Sequence, residues 1–270
     1  MADGVLFAGT DAGIFTSSDQ ALSWKEAEGE AMPARVLSFA ALGKKMFAGI
    51  DSKGLLVSTN GGRSWELDAR LRARKVRCLL SQNGKLFAGT DAEGVFSSDD
   101  AGQTWNRQSA GLPPRSQVFA LSIASGKLFA ALYSQGLYRW DDEEKSWSKI
   151  EGVTPLALAS MNDTLVAGHN PGGLYWSANA GTSWFKAVAE EPRRFTLLPT
   201  ESLGELWDRA PVWALEASEG LVLAGASSGI FFSEDNGRTW TRAHEGLPAE
   251  SPGLAFLVTR NFVLASTRIE

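Results

Sequence analysis

Apolar runs of strand length recur along the whole chain, each bounded by Gly, Asn, Asp or Lys. Residues 35–69 hold four of them: Val36 to Ala41, Met46 to Gly49, Leu55 to Ser58 and Ser64 to Leu67. Runs this short between turn formers predict strands joined by hairpins, and four in succession predict one antiparallel sheet. The second run has a fixed flavour, a large residue before two small ones: Phe7-Ala8-Gly9, Phe47-Ala48-Gly49, Phe87-Ala88-Gly89, Phe129-Ala130-Ala131, Val166-Ala167-Gly168 and Leu223-Ala224-Gly225. Small residues inside a strand mark a place where another backbone comes close. The third run opens on Gly and an aliphatic residue, as in Gly54-Leu55 and Gly94-Val95.

Between the third and fourth runs lies a polar segment of the form Ser-x-Asp/Asn-x-Gly-x-Ser/Thr-Trp. Clean copies run from Ser58 to Trp65, Ser98 to Trp105, Ser177 to Trp184 and Ser233 to Trp240. Degenerate copies run from Ser17 to Trp24, with Ala21 in the Gly position, and from Trp140 to Trp147, with Glu144 there. The six terminal Trp are 41, 40, 42, 37 and 56 residues apart. A strand-built repeat of about 40 residues predicts a propeller. Asp19, Asn60, Asp100, Asp142, Asn179 and Asp235 read as acceptors for N–H groups of their own turn. The Gly admits positive φ. Trp24, Trp65, Trp105, Trp147, Trp184 and Trp240 read as wedges between sheets, each with one indole N–H to satisfy. All twelve are structural in this reading, not catalytic or metal-binding.

The segment resembles the Asp-box, the bacterial neuraminidase repeat of sialidases, other glycoside hydrolases, sortilin-like receptors and photosystem II assembly factors. The repeat as a whole, Ala-Gly-Thr-Asp-x-Gly-Val-Phe-x-Ser, then the box, then Gly-Leu-Pro (Gly111-Leu112-Pro113, Gly246-Leu247-Pro248), is most similar to the assembly-factor and sortilin-like branch. The resemblance covers nearly the entire chain. It implies an all-β propeller of four-stranded antiparallel blades, and it leaves function open, because unrelated activities share the scaffold. First, third and fourth strands each number six, and second strands seven. Six blades is the economical count, with seven the alternative, and the run near Leu254 to Thr259 is expected to pair with the N-terminal strands and close the ring. Residues 1–270 are one domain. The widest gap between Trp residues holds an insertion near 190–209, with Phe195 and Trp207 as its aromatic residues.

Composition narrows the chemistry. Apolar residues make up 44% of the chain, enough for a substantial core, and the formal net charge of -5 gives no nucleic-acid signal. Cys78 is the single cysteine, set in an apolar run, so no intrachain disulfide forms. No apolar stretch is long enough to span a membrane. Met1-Ala2-Asp3-Gly4 shows neither a basic n-region nor an apolar h-region, so the chain reads as cytoplasmic as given, and as secreted or periplasmic if a signal has been removed. The two His, His169 and His244, do not make metal-ligand spacing. No P-loop or dinucleotide fingerprint occurs, and no cofactor is expected.

The end of the blades away from the boxes is where the repeats diverge. Second-to-third loops bring Asp11, Asp51, Asp91, Tyr133, His169, Asn170 and Ser227 there. Loops before the first strands bring Arg35, Arg70, Arg72, Arg74, Lys75, Arg77, Arg115, Arg193, Arg194 and Arg209. Arg pairs carboxylates in bidentate fashion, so the recurring cations suggest a site for an acidic protein partner, with Trp207 as an anchor. In the competing reading Arg35, Arg74 and Arg115 simply pair with Asp11, Asp51 and Asp91. A second functional reading is a glycan site, lectin or hydrolase, in which two of Asp11, Asp51 and Asp91 flank a glycosidic bond. The sialidase Arg-Ile-Pro motif is absent; Arg268-Ile269-Glu270 lacks the Pro. A non-catalytic scaffold that binds protein, in the manner the resemblance to assembly factors implies, is the preferred reading.

Overall fold

The computed structural model describes residues 5–19, 22–29, 35–52, 54–71, 75–170, 172–190, 210–218, 220–243, 253–258 and 263–267. The chain divides into two compact units, residues 1–121 with 141–147, and residues 122–140 with 148–270.

In the first unit, β1 (Leu6–Thr10), β2 (Gly13–Ser17) and β3 (Lys25–Glu26) make a three-stranded sheet. Next come β4 (Glu28–Gly29), β5 (Val36–Leu42), β6 (Lys45–Ile50), β7 (Leu55–Ser58) and β8 (Ser64–Asp68), in the order β4-β8-β7-β6-β5. The third sheet is β9 (Val76–Gln82), β10 (Lys85–Thr90), β11 (Val95–Ser98) and β12 (Asn106–Arg107). The fourth is β13 (Val118–Ala124), β14 (Lys127–Leu132), β15 (Gly136–Asp141) and β16 (Ser146–Ile150), and the division between units runs through it. The second unit adds β17 (Pro155–Met161), β18 (Thr164–His169), β19 (Leu174–Ser177) and β20 (Phe185–Lys186). It also holds β21 (Val188–Glu190), β22 (Val212–Ser218), β23 (Leu221–Ala226), β24 (Gly229–Ser233) and β25 (Thr239–Ala243). A hairpin of β26 (Gly253–Val258) and β27 (Val263–Thr267) follows. The fold is all-β, a propeller of six antiparallel blades. The expected pairing of the C-terminal run with β1 is not among the pairings of the described residues, where β26 pairs with β27.

The small residues of the second strands do what their pattern predicts. A Cβ on Gly9 would lie 2.6 Å from Val36, one on Gly49 2.7 Å from the Val76 carbonyl, and one on Gly168 2.6 Å from Val212. Each of these Val opens the inner strand of the following blade, so Gly is what lets adjacent blades pack at their inner edge.

The boxes are closed by their own side chains. In the second blade, Gly62 N–H donates to Ser58 Oγ at 2.9 Å, Ser64 N–H to Asn60 Oδ1 at 3.0 Å and Trp65 Nε1–H to the Gly62 carbonyl at 3.0 Å. The same indole bond recurs from Trp184 to Gly181 at 3.1 Å and from Trp240 to Gly237 at 2.9 Å. In the degenerate fourth copy Asp141 takes the turn N–H groups of Glu143 and Glu144, and the Trp147 indole donates to the Gln108 carbonyl at 2.7 Å. Trp65 wedges against Phe7 and Phe39, at centroid separations of 6.4 and 6.1 Å.

The blades alternate. Outer strands β3, β12 and β20 of the first, third and fifth blades are two residues long, whereas β8, β16 and β25 of the second, fourth and sixth are five. After each short strand the chain crosses to the long outer strand of the next blade. Thus β4 runs parallel to β8 and β21 parallel to β25, and Trp147 N–H donates to the Ala110 carbonyl at 2.8 Å. These braces cover the box Trp beneath them. Trp65, Trp147 and Trp240 are buried, Trp105 and Trp184 only half-buried, and Trp24 is 39% exposed.

Candidate functional site

At the end away from the boxes, the first unit presents a ladder of charge. Two of the three Asp-bearing turns are fastened through their main chain to the residue ahead of an inner strand: Asp51 N–H donates to the Arg35 carbonyl at 2.9 Å and Asp91 N–H to the Lys75 carbonyl at 3.2 Å. That attachment brings the carboxylates to the cations. Arg35 Nε lies 2.9 Å from Asp11 Oδ1, and Arg35 Nη1 lies 3.8 Å from Asp51 Oδ2. Lys75 Nζ is 2.5 Å from Asp51 Oδ1, and Arg77 pairs with Asp91. The Lys75 hydrogen bond holds the Asp51 carboxyl below its ordinary value against a smaller desolvation effect. The Arg77 guanidinium also lies over the Phe119 ring, 4.3 Å from its centroid. Ion pairs this exposed contribute roughly 0–1 kcal/mol each, so the ladder orders side chains more than it stabilises the fold.

Of the pairs expected in the competing reading, Arg35 with Asp11 is present; Lys75 lies on Asp51 and Arg77 on Asp91, and Arg74 is outside the described residues. Arg115 stands exposed at φ 56° with no ion pair among the described residues. Arg70 is turned to the outer strand, where Asp68 grips it through Nε and Nη2, both at 2.8 Å, and raises its pKa. Arg72, Arg74, Arg193, Arg194, Trp207 and Arg209 lie outside the described residues, as does His244.

One feature escaped the sequence reading. Inner strands carry a register shift at their second residue, at Leu37 in β5, Arg77 in β9, Leu156 in β17 and Trp213 in β22. A bulge re-aims one side chain and recurs beside functional sites. The position is legible afterwards as the residue following the Val or Pro that opens each inner strand. It is variable, which is why it carried no repeat signal. In the second unit the bulge throws out Trp213, 46% exposed. The adjoining second-to-third turns carry no Asp, Glu, Lys or Arg.

His169 ends β18 buried, its ring 4.4 Å from that of Tyr175, and burial lowers its pKa to about 4. Burial pushes the Cys78 thiol up to about 12, so it remains a protonated packing group whose Sγ–H points to the Val118 carbonyl at 3.6 Å. Among the described residues no group of three His, Cys, Asp or Glu is placed to hold a metal ion, and no helix is long and apolar enough to cross a membrane.

Among solved structures, the chain is similar to YCF48 bound to D1 peptide, with 18% identity over 96% of this chain and 84% of that one, and a TM-score of 0.67. YCF48 from Cyanidioschyzon merolae is similar at 14% identity, over 97% of this chain and 91% of that one, with a TM-score of 0.65. A GH74 xyloglucanase from Xanthomonas campestris is similar at 16% identity and a TM-score of 0.62, but 98% of this chain covers only 49% of the enzyme. At these identities the likeness is one of fold. A search of curated proteins returned no significant match. A family model described as photosynthesis system II assembly factor YCF48 matches residues 2–266, and the chain belongs to that family.

Proposed function

We propose that the protein is a non-catalytic scaffold that binds an acidic segment of a protein partner at the end of the blades opposite the Asp-boxes. The observation that carries the reading is the ladder of Arg35, Lys75 and Arg77, held in place by Asp11, Asp51 and Asp91 and still partly open to solvent. Cations already oriented by neighbouring carboxylates need little ordering to meet an incoming one, and Arg fits a carboxylate in bidentate fashion. Arg115, exposed and without an ion pair among the described residues, adds a further contact for such a partner. Family membership supports an assembly role, and the structure of YCF48 with D1 peptide supports a peptide as ligand.

The glycan reading has less behind it. Asp11, Asp51 and Asp91 are each engaged by Arg35, Lys75 or Arg77, and the Lys75 hydrogen bond holds the Asp51 carboxyl below its ordinary value, whereas glycosidic bond cleavage needs one carboxylic acid kept protonated. The test is fluorescence anisotropy with a labelled D1 peptide and an acidic peptide of equal length. Arg35→Ala combined with Arg77→Ala is expected to weaken binding at least about tenfold with Tm nearly unchanged. Equal affinity for parent and variant would sink the reading.

A further inference from the structure

Buried polar atoms in folded proteins are nearly always hydrogen-bonded, so those that are not call for a reason. Among the described residues six side-chain atoms are buried without a partner, and four of them are Glu93 Oε2, Gln135 Oε1, His169 Nε2 and Ser228 Oγ. All four stand at the turn between second and third strands, the end opposite the boxes. Three belong to the second unit, on its three successive blades. Gln135 and Ser228 occupy the same place, directly before the Gly that opens the third strand, and His169 ends β18, paired with Pro155 at the mouth of the inner strand. The His169 residue is 8% exposed.

Beside them sit two aromatic side chains with large open surfaces. Trp213 is thrown out by the bulge next to the Ser227-Ser228 turn, which is fastened by Ser227 N–H to the Pro211 carbonyl at 3.2 Å. Tyr133, in the Gln135 turn, is 43% exposed. The chemistry here differs from that of the first unit. The amide oxygen is a neutral acceptor, the hydroxyl accepts or donates, and the imidazole is uncharged because burial lowers its pKa to about 4. With no charge in these turns, neutral hydrogen-bond donors suit them better than ions do.

We infer that this end of the second unit is a binding surface for an extended, uncharged stretch of a protein partner, anchored on Trp213 and Tyr133, with main-chain N–H groups donated to Gln135 Oε1 and His169 Nε2 and a carbonyl accepted by Ser228 Oγ. Aromatic anchors supply contact area at little entropic cost, and the orphaned atoms supply register, because a donor reaching them removes an existing desolvation penalty instead of creating one. The inference rests on the protein-partner reading above but uses different residues and the opposite chemistry.

An immobilised array of peptides free of Asp, Glu, Lys and Arg tests it on the full chain, with a duplicate array methylated at alternate main-chain nitrogens. The parent is expected to bind extended, β-branched members and to lose their N-methylated copies. Trp213→Ala and Gln135→Leu are each expected to cut retention at least about tenfold. Gln135→Leu should leave Tm unchanged, since Leu replaces an acceptor that lacks a donor, and so separates loss of binding from any loss of stability in Trp213→Ala, whose side chain is half buried. The Arg35 and Arg77 variant is expected to keep this retention while losing the acidic peptide, so failure of the acidic-peptide reading and failure of this one are read separately. Equal retention by parent and both variants overturns the inference. So does an array that retains no parent protein, and so does retention by neutral oligosaccharides in place of peptides.

Discussion

At the scale of single residues, the boxes differ in one atom that matters to pH. Hydrogen bonds from the Thr104 hydroxyl and N–H and from Ser98 hold Asp100 at about 2, and the equivalent bonds from Ser23 and Ser17 hold Asp19 at about 2. Burial works to raise Asp235, but the combined bonds from Thr239, Ser233 and Arg238 outweigh it and leave the carboxyl below its ordinary value. Asn60 and Asn179 make the same turn with an amide that does not titrate. A carboxylate whose folded pKa is depressed contributes stability that is fully present above about pH 4 and is lost as pH falls through 2. His169 acts in a separate window. Its neutral form is favoured by folding, so stability falls as pH drops from 6.5 toward about 4. Thermal melts from pH 7 to 2 should therefore show two zones of acid sensitivity. Asp100→Asn should flatten the lower one and leave the upper untouched; an unchanged slope below pH 4 would remove Asp100 from the account.

At the scale of elements, the braces explain which glycines are indispensable. Gly111 sits at φ 85°, and a Cβ there would lie 2.2 Å from the Trp147 carbonyl oxygen, in a crossing where backbone meets backbone. Gly84 has nearly the same φ, 80°, with nothing within 4 Å of its Cβ. Both lose about 1 kcal/mol to backbone strain on substitution by Ala, but only Gly111→Ala also forces the crossing apart. We expect Gly84→Ala to cost about 1 kcal/mol and Gly111→Ala about 3 kcal/mol or more by chemical denaturation. Equal costs would mean that the brace yields without resistance. The strands themselves were legible because period and turn chemistry agree at each of them, from the small pairs such as Ala48-Gly49 to the box Gly62. The braces were not legible. Glu28-Gly29 and Val188 to Glu190 read as ordinary polar or mixed linker, and nothing in their composition says which sheet edge they join.

At the scale of the whole molecule, a chain of net charge -5 displays its cations where the repeats diverge. Attraction between exposed charges is screened over about 8 Å at physiological ionic strength. Association with an acidic peptide should therefore slow as salt rises, while the uncharged array should be nearly insensitive to it. Stopped-flow measurements from low to high salt check this, and a flat association rate for the acidic peptide would argue against steering by the ladder. The site was legible in part. The sequence shows Asp11, Asp51 and Asp91 on one kind of loop and basic residues ahead of the inner strands. That Lys75 is a cation on Asp51 depends on the rotation of one strand, which residue type does not encode. Trp213 stayed hidden for a related reason: a bulge changes register by one residue without changing the hydrophobic pattern around it.

The alternation of short and long outer strands bears on ancestry and on design. Trp24, Trp105 and Trp184, the box residues of the short-strand blades, are 81 and 79 residues apart. The self-sufficient module is then a couplet, in which one blade lends its tail and its neighbour receives it. Gain or loss of a single blade would leave a lender beside a lender or a receiver without cover. Viable shortened or lengthened versions of this chain should accordingly differ in steps of about 80 residues, twice the usual period of such repeats.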